Sequence, residues 1–159
     1  MLAVVLDADN DEFVATPGTP AGTLTTALAI SHDGTHVLFR ARVEDQPEAR
    51  LVLHTVATGE QRSFDAHRDG TDWKAALSPD GRAMATLGGD DDSAIVALTD
   101  TGTGVRRRLW SSAGLGSALE CSIAWSPDGR LVATTYVDDE GHLVTMVLDT
   151  ADESGHILR

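Results

Sequence analysis

Short apolar runs separated by polar turn residues recur along this chain at a nearly constant interval. Leu28-Ala29-Ile30 precedes Ser31-His32-Asp33-Gly34, and Val37-Leu38-Phe39 follows it. The same order returns as Ala75-Ala76-Leu77, Ser78-Pro79-Asp80-Gly81 and Ala83-Met84-Ala85. It returns again as Ile123-Ala124-Trp125, Ser126-Pro127-Asp128-Gly129 and Leu131-Val132-Ala133. The three serines stand 47 and 48 residues apart. Short apolar runs bounded by turn signals predict β-strands. A fixed period of this size predicts a repeat array in which each unit buries its faces against its neighbours.

Each repeat resolves into four strands. The first gives 24–30, 36–43, 50–56 and 61–64; the second 73–77, 82–87, 94–99 and 105–110; the third 121–125, 130–137, 142–148 and 156–159. Turn chemistry supports the divisions. In Ser-Pro-Asp-Gly the proline presets φ for the first corner, aspartate caps its own backbone, and glycine supplies the positive φ that closes the turn. The amino-terminal stretch Leu2 to Asp7 resembles Val144 to Asp149, the third strand of the last repeat, and Glu12 to Ala15 takes the place of its fourth. A half-unit (1–16), a Pro/Gly loop and three full units over 24–64, 73–110 and 121–159 predict fourteen strands and no helix longer than one turn.

Composition narrows the functional classes. The net charge of -13 repels nucleic-acid phosphates and anionic membrane surfaces, so neither partner is expected. Arg106-Arg107-Arg108 is the one dense basic run and reads as an exposed strand carrying charge. The single cysteine, Cys121, forms no intrachain disulfide; its place before Ser122-Ile123-Ala124-Trp125 favours a buried, inert thiol. The opening apolar run ends at Asp7, too short for an export signal, and no segment has the length to cross a bilayer. A cytoplasmic location is favoured.

No catalytic constellation emerges. Asp7, Asp9 and Asp11 have the spacing of a calcium loop, but Glu12 stands where that loop needs glycine. His32, His36, His54, His67, His142 and His156 are scattered without metal-ligand spacing. Gly114-Leu115-Gly116-Ser117 lacks the spacing of a nucleophile elbow, and the segment from Ser111 to Leu119 reads as a flexible connection. Trp73, Trp110 and Trp125 fall in strands and are expected to pack between units. Neither a metal nor a cofactor is expected, and the chain reads as no enzyme.

The repeated pattern of apolar run, Ser-Pro-Asp-Gly-Arg, apolar run, acidic loop and Asp-Thr turn resembles the β-propeller repeats of the WD40 and TolB-like families. The Trp-Asp dipeptide of WD40 repeats is missing, and the period exceeds the usual 40–45 residues or so, which brings the TolB-like branch closer. The resemblance implies an all-β fold of radial blades about a channel, used most often for binding. Three blades and a half fall short of the four to eight of a closed ring, about which further blades or another copy of the chain are expected to assemble. In such a fold Glu44, Asp45 and Glu48, Asp90, Asp91 and Asp92, and Asp138, Asp139 and Glu140 lie between second and third strands. They would form a negative arc on one rim that attracts a basic protein segment. The resemblance thus implies a non-catalytic interaction or scaffold module. The alternative is the substrate-gating propeller of a larger serine peptidase of the prolyl oligopeptidase kind.

Overall fold

In the computed structural model each Ser-x-Asp-Gly turn joins two antiparallel strands, and three four-stranded meanders result. The structure describes residues 4–7, 12–15, 23–43, 49–65, 71–90, 93–113, 122–137, 140–151 and 155–158. Among them are fourteen strands. Strands β1 (Val4–Asp7) and β2 (Glu12–Ala15) form a hairpin, with Val4 opposite Ala15. Blade 1 is β3 (Thr23–Ile30), β4 (His36–Val43), β5 (Ala49–Thr55) and β6 (Gln61–Asp65). Blade 2 is β7 (Thr71–Leu77), β8 (Ala83–Asp90), β9 (Ser93–Asp100) and β10 (Arg106–Ala113). Blade 3 is β11 (Ser122–Trp125), β12 (Leu131–Val137), β13 (Leu143–Asp149) and β14 (Gly155–Leu158).

Strand pairing in every blade follows chain order, and the first strands meet: β3 lies against β7, and β7 against β11. This is the arrangement of β-propeller blades, and three of them do not close a ring. Strand β10 runs beyond its expected end. A bulge between Arg108 and Trp110 shifts the register, so Ser111, Ser112 and Ala113 pair with Ile95, Ala94 and Ser93. Those residues are strand rather than connection. The same bulge turns Leu109 into the core while Arg107 and Arg108 stay exposed.

Side chains alternate across each sheet, so every blade has one face toward the blade before it and one toward the blade after. On blade 1 the face toward blade 2 carries Leu38, Leu51 and Leu53, which form a buried cluster with Ala75, Leu77 and Met84. On blade 2 the next seam is made by Ala85, Leu87, Val96 and Leu98, buried against Val132, Tyr136, Met146 and Leu148 of blade 3. Trp110 and Tyr136 meet across this seam with ring centroids 5.1 Å apart. Trp125 packs against the same cluster, and its Nε1 donates to the Ala76 carbonyl 3.0 Å away on β7. Packing between blades is thus the role of Trp110 and Trp125. Trp73 lies in β7, and its side chain is outside the described residues.

Candidate functional site

The turns between first and second strands are built identically. In blade 2 the Ser78 hydroxyl donates to Asp80 Oδ1 (2.7 Å), which also accepts from the Arg82 amide (3.1 Å). Ser78 Oγ in turn accepts from the Ala83 amide at 2.9 Å. Gly81, at φ 69°, turns its amide back onto the Ser78 carbonyl. Ser31, Asp33 and Gly34 repeat this in blade 1, and Ser126, Asp128 and Gly129 in blade 3. Each carboxylate collects donors and is held below the ordinary aspartate range. For Asp33 the Ser31 hydroxyl acts first and then Thr35, bringing it to about 2; Asp80 and Asp128 shift down chiefly through Ser78 and Ser126.

A second turn, between third and fourth strands, locks onto the first. Thr101 donates its hydroxyl to the Gly81 carbonyl at 2.9 Å and its amide to the Arg82 carbonyl. Thr150 does the same to Gly129 and Arg130. An arginine from the preceding blade reaches each of these turns. Arg62 of β6 donates to the Thr101 carbonyl (2.8 Å) and to that of Gly102, and Arg107 of β10 donates to the Thr150 carbonyl. Arg62 and Arg107 occupy the same register, opposite Leu53 and Leu98.

On this turn-bearing face a cleft of about 790 Å³ opens between blades 2 and 3. Blade 2 contributes Pro79, Asp80, Arg82, Ala83, Leu98, Asp100, Val105 and Arg107, and blade 3 contributes Trp125, Pro127, Asp128 and Thr150. The residue at the start of the second strand explains why it opens here. In blade 1 that residue is His36, whose ring lies so close to Gly81 that a Cβ there would meet Nδ1 at 2.6 Å. In blade 2 the same register holds Ala83. A Cβ on Gly129 would find nothing nearer than Pro79 Cδ, at 3.7 Å. An imidazole fills one seam; a methyl group leaves the other open.

The cleft joins apolar walls to a negative rim. Its carboxylates are Asp80, Asp100 and Asp128, with Asp100 lowered chiefly by the hydroxyl of Thr103 and then by its amide. All three are held below the ordinary aspartate range, and their turn bonds enter through Oδ1. A carboxylate has acceptor capacity beyond two or three such bonds. Arg82 stands 4.0 Å from Asp80 at the exposed edge. The arrangement places carboxylate acceptors beside apolar surface, with Arg82 and Arg107 also in the lining.

Of the acidic residues expected from the sequence, the structure describes Asp90 and Glu140. Asp90 pairs with Ser93 at the end of the β8–β9 ladder remote from Ala83 and Asp100. Glu140 is exposed, 3.4 Å from His142 Nδ1. Glu44, Asp45, Glu48, Asp91, Asp92, Asp138 and Asp139 fall outside the described residues, as do Cys121, Asp9, Asp11 and Gly114 to Ser117. The basic triplet does more than carry charge: Arg106 donates to the buried Thr86 hydroxyl (3.2 Å), and Arg107 spans the seam. Sequence reasoning missed the cleft. The signal was the column His36, Ala83, Leu131 at one register of the aligned repeats.

Blades of this form define a β-propeller. The fold is shared with TolB of Acinetobacter baumannii (TM-score 0.67, 16% identity, covering 97% of this chain and 36% of that one). It is shared also with the β-propeller domain of the Trilobed protease of Pyrococcus furiosus, which has an open velcro topology (TM-score 0.65, 15% identity, 86% and 43%). A prolyl endopeptidase is a third likeness (TM-score 0.64, 14% identity, 93% and 24%). The chain thus spans less than half the length of each. No family model matches the sequence, and no curated protein does.

Proposed function

We propose that this chain is a non-catalytic binding module of TolB-like propeller form that takes a protein segment in the cleft between blades 2 and 3. The cleft itself supports the reading. Its volume is in the range of ligand sites, its apolar walls adjoin three carboxylates, and rigid turns hold those carboxylates in place. The fitting partner is an extended segment carrying lysine or arginine beside proline or apolar residues. Titration calorimetry with a short Lys/Pro peptide tests this. Binding should weaken from low to physiological salt and disappear in Ala83→His, which places a ring where the neighbouring seam has one. Binding that ignores both changes would refute the cleft as the site. Neutralising Asp90, Asp91 and Asp92 together asks the same of the acidic loops expected from the sequence to attract a basic partner.

Likeness to peptidase propellers favours a second reading, in which the chain is the propeller part of a larger serine peptidase. The size and activity of the native polypeptide decide it. A product with a linked α/β-hydrolase domain that cleaves peptides supports the enzyme reading; a product made only of propeller blades removes it.

A further inference from the structure

The fourth strands of the three blades differ at two matching registers. Strand β10 carries Arg106 opposite Thr99 and Arg108 opposite Ala97. At the same registers β6 has Gln61 and Ser63, opposite His54 and Val52, and β14 has Gly155 and Ile157, opposite Leu148 and Met146. Within its sheet β10 pairs with β9 alone, so its other side is an open edge among the described residues. The Asp100 amide donates to the Val105 carbonyl, and an antiparallel ladder alternates from there. Leu98 and Arg107 therefore exchange hydrogen bonds, while the amides and carbonyls of Arg106 and Arg108 point outward. These two arginine side chains share one face, and Arg107 lies on the other. Arg106 is anchored on the Thr86 hydroxyl and Arg107 on the Thr150 carbonyl, whereas Arg108 is exposed. The main-chain groups that an added strand needs thus belong to residues that carry charge.

We propose that the edge of β10 takes an extended acidic segment of another protein as an added antiparallel strand. The ladder assigns the pattern: an acidic side chain opposite Arg106, another opposite Arg108, and a β-branched residue between them. Charge selects this occupant over a second copy of the chain. Two β10 strands paired antiparallel about Arg107 would set Arg106 against Arg108, and like charges directly opposite repel. The net charge of -13 opposes an acidic partner at long range, and salt that screens it leaves the main-chain bonds in place. The bulge after Arg108 breaks the ladder, so the contact is confined to this short stretch. The edge is separate from the cleft between blades 2 and 3, although Arg107 borders both.

A blocked peptide, acetyl-Thr-Glu-Val-Glu-Thr-amide, titrated into the whole chain and followed by NMR, tests the proposal. The amides of Arg106 and Arg108 should shift and exchange more slowly with solvent, and Arg108→Glu should weaken binding about tenfold. Methylating both glutamate nitrogens should abolish binding, because those amides donate to the edge. Methylating the valine nitrogen should leave it nearly unchanged, and so should Ala83→His, which fills the cleft. Equal binding by the two methylated peptides would overturn the proposal, since charge alone would then suffice. So would no shift at β10 with millimolar peptide. Loss of binding in Ala83→His would overturn it as well, by placing the peptide on Arg82 and Arg107 within the cleft. Self-association of the chain that Arg108→Glu abolishes would do the same, because the occupant would then be a second copy.

Discussion

At the seam between blades 1 and 2 an imidazole lies on Gly81, whereas at the seam between blades 2 and 3 the equivalent residue is Ala83 and a cleft remains. The two seams also differ at a second register. Thr99, on the blade 2 face toward blade 1, is buried with its hydroxyl unpartnered; blade 3 has Leu148 there. Buried polar groups without partners lose their hydration and regain nothing. The seam with Thr99 is filled at its turn-bearing end and imperfect within. The other is apolar within, with an aromatic pair and a tryptophan hydrogen bond, and open at its end. A repeat can thus keep its blade architecture and open or close a cavity at the seam with the residue at the edge.

The strongest way to break this comparison is to empty each seam in turn. Leu38→Ala strikes only the first and Met146→Ala only the second, and each should lower stability by about 2–5 kcal/mol in urea unfolding. Hydrogen exchange should rise most in the seam that was struck, since units of a repeat array interact with nearest neighbours. Uniform acceleration everywhere would mean that the seams are not separable.

The glycines sharpen it next. Gly81→Ala meets both a left-handed backbone (φ 69°) and the His36 ring, while Gly129→Ala meets only the backbone (φ 73°). The shared part is worth about 1–2 kcal/mol. Gly81→Ala should therefore be the worse of the two, and His36→Ala in its background should recover the excess. Equal losses would erase the distinction between a filled and an open seam.

Smaller effects follow from the unpartnered groups. Thr99→Val should raise stability by about 1 kcal/mol, because it removes a buried hydroxyl that bonds to nothing. His54, at the same register of blade 1, is buried with both ring nitrogens unpartnered, and burial lowers its pKa below 6.5. The unfolded chain then binds the extra proton first, so stability should fall as pH drops below about 6.5, and His54→Leu should flatten that limb. A second loss belongs to Asp33, Asp80, Asp100 and Asp128, whose depressed pKa values stabilise the fold above the ordinary carboxylate range near 4. That contribution should disappear as pH falls from there, through about 2 for Asp33. Thermal melts between pH 8 and pH 2 resolve the two limbs. The smallest effects belong to the arginines: Arg62→Met and Arg107→Met should each cost about 0.5–1.5 kcal/mol. A change in only one would show that the seams do not share this bond.

Much of the fold was legible because its determinants are local. Ser78, Asp80 and Gly81 satisfy one another within a few residues, so the turn can be read without knowing what packs on it. Strands expected at 94–99 and 36–43 appear as Ser93–Asp100 and His36–Val43. Failures came where one residue's role depends on another blade. The bulge at Leu109 carries β10 on to Ala113, and nothing in the run from Arg106 to Trp110 announces it. The cleft was hidden for the same reason. Ala83 is unremarkable beside its neighbours and acquires meaning only against His36, 47 residues earlier.

Arg62 and Arg107 both address main-chain oxygens of the next unit. Every residue carries such an oxygen, so the recipient turn is free to vary in sequence without losing the bond. A unit that carries this arginine could be duplicated or exchanged and re-form the contact with whatever unit follows it; blade 3 has His156 at that register, opposite Val147. Only the apolar faces would then need to adapt to their new neighbours.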